Sequence, residues 1–117
     1  MAVDQNFSPA QANLAVMYHY GDGVAQDKAE AIRLFRLAAE QGSGLAQYYL
    51  GKLYMLGDGV EKNSITAQMW FILASTDGDP QSMLLRDKLA GILTPAEASE
   101  AQARADRCAA SDYGDCN

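Results

Sequence analysis

The chain is short of positive charge. Nine Lys and Arg stand against fifteen Asp and Glu, for a formal charge of −6 and a pI near 4.5. Binding phosphates needs a basic surface, so the composition argues against a nucleic-acid ligand. No apolar run reaches the roughly 18 residues that a membrane-spanning helix needs, and no membrane insertion is expected. Histidine occurs once, as His19, which leaves a Ser/His/Asp triad a single candidate base. The patterns Gly-x-Ser-x-Gly, His-Glu-x-x-His, Gly-x-x-x-x-Gly-Lys and Ser-x-x-Lys are all missing. The sequence therefore predicts no enzyme, no cofactor and no metal. A secretory apolar core is also missing. The chain reads as cytosolic, as mature, or as a fragment that begins after a removed segment. At 117 residues it reads as one domain, 1–117.

What the chain does have is an internal repeat. Residues 10–45 laid over 46–81 agree at 13 of 36 positions without a gap, too many to leave the two blocks unrelated. Gly21-Asp22-Gly23-Val24 falls on Gly57-Asp58-Gly59-Val60, Tyr18 on Tyr54, and Phe35 on Phe71. A fixed period between about 20 and 50 residues means stacked supersecondary units rather than one core around a buried site.

Each unit reads as a helical hairpin. Ala31, Leu34, Phe35 and Ala38 fall at i, i+3, i+4 and i+7, as do Ala67, Trp70, Phe71 and Ala74. That spacing puts each set on one face of a helix, as core. The first helix of each unit carries Leu14, Met17 and Tyr18, then Leu50, Leu53 and Tyr54, again expected in the core. Ser8-Pro9 and Asp27-x-x-Glu30 look like helix starts. Gly42 and Gly78 stand where a helix end favours a left-handed residue. The Gly-Asp-Gly-Val segments superficially resemble phosphate loops, but they follow helices and carry an aspartate, so they read as turns. Asp77 and Asp79 have the chemistry to touch calcium, yet Asp79 before Pro80 is the better helix cap.

Residues 82–109 form a degenerate third unit. Leu85 and Leu89 make its first stripe, and Gly91-Ile92-Leu93-Thr94 replaces the longer joint. Its last helix is alanine-rich, with Ala98, Ala101 and Ala105 on one face and charges elsewhere, as suits a terminal cap. The tail, 110–117, holds the second of two cysteines. Gly114 lets it turn back, so a Cys108–Cys116 disulfide is feasible. Closing that loop contributes roughly 2.6 kcal/mol in the chain-entropy treatment. Two unpaired thiols, a metal pair and a catalytic thiol are the alternatives. The spacing is not that of a zinc site, and His19 is distant in sequence.

These residues resemble the Sel-one-like repeat family, a relative of the tetratricopeptide repeat. Its pattern is roughly Ala-x-x-x-Leu-Gly-x-Met-Tyr-x-x-Gly-x-Gly-Val, then Ala-x-x-Trp-Phe-x-x-Ala-Ala-x-x-Gly. The second unit supplies Ala46, Leu50, Gly51, Tyr54, Gly57, Gly59, Val60, Ala67, Trp70, Phe71, Ala74 and Gly78. The first departs at Ala15, where Gly is common, and at Leu34, where Trp is common. The resemblance implies an all-α solenoid of three stacked antiparallel helix hairpins in a right-handed superhelix. It also implies an adaptor or scaffold that binds a protein or peptide, and many bacterial members are exported. Exported members often carry cysteine pairs at this spacing, which with the disulfide implies a periplasmic or secreted protein. Some cysteine-rich members are described as β-lactamases or penicillin binders, so the resemblance implies a β-lactam or cell-wall hydrolase as one alternative, though this chain lacks the serine/lysine machinery of the ordinary enzymes. A structural segment of a longer repeat array is the other.

In such an array the first helices line the concave face. Beside their core stripes lie Val16, His19 and Tyr20, then Tyr48, Lys52, Met55 and Leu56. Tyr, Met and Leu beside single polar groups suit a peptide or a partner helix, so these seven are the expected groove. The alternative is that they pack between adjacent hairpins. The first helix has no hairpin before it, so its open flank is a candidate for self-association unless the arm through Phe7 covers it.

Overall fold

From the second onward, the α-helices begin where a side chain can take up one of the first free amides. In the computed structural model, which describes residues 8–114 and 116, six α-helices follow one another, a short 3-10 turn (Ser75–Asp77) follows the fourth, and no strand occurs among the described residues. They are α1 (Ser8–Tyr20), α2 (Lys28–Ala39), α3 (Gly44–Leu56), α4 (Ser64–Ala74), α5 (Pro80–Ala90) and α6 (Pro95–Ala110). Asp27, Ser43, Asn63, Asp79 and Thr94 cap α2 to α6, each accepting a backbone N–H three residues on. Thr94 and Glu97 form the full reciprocal box. Asp27 caps alone, because Glu30 turns instead to Arg33, 2.6 Å away. The expected arm through Phe7, the Ser8 cap and any contact of the Asp77 side chain lie outside what is described.

The two joints are built alike, bond for bond. The N–H of Asp22 donates to Met17 O, and that of Asp58 to Leu53 O, both at 3.0 Å. The N–H of Asp27 donates to Tyr18 O at 2.9 Å, and that of Asn63 to Tyr54 O at 3.0 Å. Gly21, Gly23, Gly57 and Gly59 all have φ between 69° and 79°, a backbone region that side chains avoid. Tyr18 and Tyr54 thus hold equivalent places, and both rings lie half-buried against the core.

Packing runs along the array: α1 on α2, α2 on α3, α3 on α4. The third pair differs, for α5 and α6 both pack chiefly on α4. The main core joins Phe35 and Ala38 of α2, Leu50 and Leu53 of α3, Met69 and Trp70 of α4, and Ala105 and Cys108 of α6. A second cluster sets Phe71 against Leu89, under Met55 and Leu85. At Gly51, α3 and α4 approach so closely that an added Cβ would sit 2.5 Å from the Phe71 ring. Cys108 and Cys116 are joined by a disulfide, with Cα atoms 4.4 Å apart, and both are buried. The molecule measures 42 × 27 × 24 Å.

One expectation about the core is corrected. Leu50 and Leu53 are buried, at 0% and 3% exposure, but Leu14 and Met17 are open, at 38% and 36%. On α1 the buried residues are Ala12 and Ala15. The reason is position in the array. The stripe on α3 closes against α2, whereas α1 packs chiefly on its hairpin partner α2 and leaves the Leu14 and Met17 side open.

Candidate functional site

The first helices of the two repeats carry matching columns of side chains. Val16 matches Lys52, His19 matches Met55, and Tyr20 matches Leu56, each 36 residues apart. Tyr20 and Leu56 end their helices and stand well exposed, at 58% and 65%. The joints fix them there, because the left-handed Gly21 and Gly57 turn the chain away immediately after.

Between α1 and α3 the rings gather. His19 lies edge-on to Tyr20, centroids 4.6 Å apart, and 6.5 Å from Tyr49. Tyr49 stacks on buried Phe35 at 5.1 Å and meets Tyr48 edge-on at 5.5 Å. The Lys52 ammonium stands over both rings, 5.3 Å from that of Tyr48 and 5.7 Å from that of Tyr49. A cation over aromatic faces is held by the ring quadrupole without losing its charge. Burial pushes the Tyr49 phenol above its ordinary range, and its interactions with Tyr20, a hydrogen bond among them, and with Tyr48 push the same way. The Tyr49 phenol therefore stays protonated at neutral pH.

Of the seven expected groove residues, four come together in this cluster: His19, Tyr20, Tyr48 and Lys52. Val16 is half-buried against the main core and serves packing. Met55 lies further along α3, packed on the second core cluster and lining a cavity of about 240 Å³ against α5. Leu56 stands beyond it as an exposed apolar group. Tyr48 also lines a smaller cavity of about 190 Å³ with Leu45, Ala74, Asp79 and Gln81. Tyr49, which the periodic pattern passes over, is the centre of the ring cluster. Its counterpart in the first repeat is Asn13, so the comparison of units conceals it; the adjacent pair Tyr48-Tyr49 was the available signal.

The aspartate of the second joint has its own work. Asp58 accepts from Lys28 at 2.6 Å, joining the second repeat to the start of α2. That hydrogen bond holds the Asp58 carboxyl below its ordinary range, and the charge of His19 acts in the same direction more weakly. Among the described residues no three His, Cys, Asp or Glu side chains come close enough to hold a metal. Among the described residues no helix is long and apolar enough to cross a membrane.

Two consecutive stretches, residues 8–43 and 44–79, match the model of the Sel1 repeat. Among solved structures, the chain is similar to a protective antigen present in uropathogenic Escherichia coli strains that displays an SLR fold. Identity there is 32% and the TM-score 0.83, over 91% of this chain and 24% of that one. It is also similar to a Sel1 repeat protein from Oxalobacter formigenes, with 36% identity and a TM-score of 0.64, over 69% of this chain and 33% of that one. The chain thus spans a quarter to a third of the length of these relatives. No curated protein matches it.

Proposed function

Because the chain belongs to the Sel1 repeat family, whose members are in general protein-interaction scaffolds, we propose that it is a non-catalytic module that captures a peptide or partner protein on the α1–α3 face. The observation that carries this reading is the ring cluster of His19, Tyr20, Tyr48 and Tyr49 with Lys52 over it. Rings with polar tips combine apolar area with hydrogen bonding at low entropic cost, which is why they anchor interfaces. Tyr20 and Leu56 extend the face outward, and each is more than half exposed in the free chain. The Cys108–Cys116 disulfide supports placing the module in an oxidising compartment, the bacterial periplasm or the exterior. A displayed peptide library selected against the chain tests the reading. Selected peptides should lose affinity for Tyr48→Ala and Tyr20→Ala and keep it for a distant surface change such as Gln102→Ala. Peptides indifferent to both tyrosines would discount the face.

A second reading concerns the outer flank of α1. Leu14 and Met17 occupy the columns that α2 covers in the next repeat, yet they are open. We take this flank as a contact surface for another hairpin of the same kind, offered by a second copy of the chain. Sedimentation at rising concentration should show dimers that Leu14→Glu abolishes. A monomer mass at every concentration would remove this reading.

A further inference from the structure

The cavity beside Met55 has an unusual rim. One wall comes from the end of α3 and the start of α4, through Met55 and Ser64, and the other from α5 and the turn after it, through Leu85, Leu89 and Ile92. Each wall adds one lysine: Lys62 precedes α4, and Lys88 lies on α5. The floor is therefore apolar, and a cation stands on either side.

Those two lysines differ from the other Lys and Arg side chains among the described residues. Lys28, Arg33, Arg86 and Arg104 each pair with a carboxylate. Arg36 donates to the Tyr54 hydroxyl, Lys52 lies over two rings, and Arg107 is engaged as well. Lys62 and Lys88 alone have no partner among the described residues, although the chain carries fifteen carboxylates. Lys88 also suits the last turn of its helix, where a cation favours the dipole. Lys62 has no such employment. Ile92, at the mouth of the same cavity, is 76% exposed and lacks cover.

We propose that this cavity seats an apolar side chain of an acidic partner segment, with a carboxylate on each side of that residue received by Lys62 and Lys88. The argument is charge complementarity across an apolar floor. The ammonium groups come from opposite walls, so the segment that fits them is acid–apolar–acid rather than a single anion. A segment of that kind meets every other Lys and Arg side chain of the described residues already engaged, which sets its register along the face. The inference rests on the reading that a partner lies along the first helices, and it names the chemistry of one part of that partner.

The probe is the peptide N-acetyl-Glu-Leu-Glu-amide, titrated into the isotopically labelled chain and followed by the amide resonances. Saturable shifts are expected at Met55, Ser64, Leu89 and Ile92. The Gln-Leu-Gln and Glu-Ala-Glu analogues should each bind about fivefold more weakly, and added salt should weaken the parent peptide. The double variant Lys62→Gln/Lys88→Gln alters only exposed side chains, so its helical circular dichroism should match the parent chain while its affinity falls to that of Gln-Leu-Gln. Absence of shifts, shifts centred elsewhere, or equal affinity for Glu-Leu-Glu and Gln-Leu-Gln overturns the proposal. The two readings fail separately. Loss of this binding leaves the response of selected peptides to Tyr20→Ala and Tyr48→Ala untouched, and the reverse also holds.

Discussion

Leu14→Ala and Leu50→Ala remove the same side chain from the same column of the repeat, and their costs should differ severalfold. Leu50 is fully buried between α2 and α4, with Phe35, Ala38 and Met69 in the same cluster. Truncating such a residue loses its transfer free energy and leaves a void that rigid neighbours fill poorly, for about 3–4 kcal/mol. Leu14 is 38% exposed on a flank where solvent already enters, so its truncation opens no closed cavity. Only part of the roughly 2 kcal/mol for burying a leucine is at stake, or about 1 kcal/mol. The expected gap is about 2–3 kcal/mol. Urea unfolding followed by far-ultraviolet circular dichroism measures it, with the slope on denaturant unchanged if both variants unfold from the same native state. A domain stability of about 5–15 kcal/mol leaves a measurable transition even for the costlier change. Equal costs within about 0.5 kcal/mol would refute the reasoning, because they would mean that position in the array does not govern burial. Repeating the Leu14 measurement at high and low protein concentration separates a bare flank from one covered by a second copy.

Other perturbations probe other joints of the argument. Gly51→Ala drives a methyl into the Phe71 ring and should destabilise by about 1–2 kcal/mol, even after the better helix propensity of alanine is counted, whereas the same column in the first repeat already holds Ala15. Cys108→Ser/Cys116→Ser should lower stability by about 2.6 kcal/mol in thermal or urea unfolding, and reductant should reproduce the loss in the parent chain but leave the variant unchanged. Tyr49 should ionise above the ordinary tyrosine range in an ultraviolet pH titration, and Tyr20→Phe should bring it part of the way down while burial remains. Since its folded value is raised, the stability it contributes is full below the ordinary tyrosine pKa of about 10 and is lost as pH rises through the higher folded value.

Much of the fold was legible because the repeat prints its rules twice. Joint glycines, capping residues and the spacing of Phe35 and Phe71 are demands of backbone geometry and helical period, and these act locally. The face of α1 was legible only in part. Its apolar spacing put Leu14 and Met17 in the core, since the period says which residues share a face but not whether anything lies against it. The site was half legible for a related reason. Tyr48, Lys52 and His19 were found as residues the repeat does not need, while Tyr49 was missed because its worth depends on Phe35 and His19, which reach it from other helices.

The amino-acid order alone decided that this chain is a row of helical hairpins with acidic surfaces and stiff, glycine-built joints, because hydrophobic period, caps and left-handed turns need nothing beyond their immediate neighbours. Tertiary packing decided the rest. It laid both α5 and α6 on α4, gathered the rings between α1 and α3, and left Lys62 and Lys88 beside an apolar hollow with no acid paired to them among the described residues. Which side chains meet across helices depends on how neighbouring hairpins seat against each other, and one repeat read along its length carries no record of that.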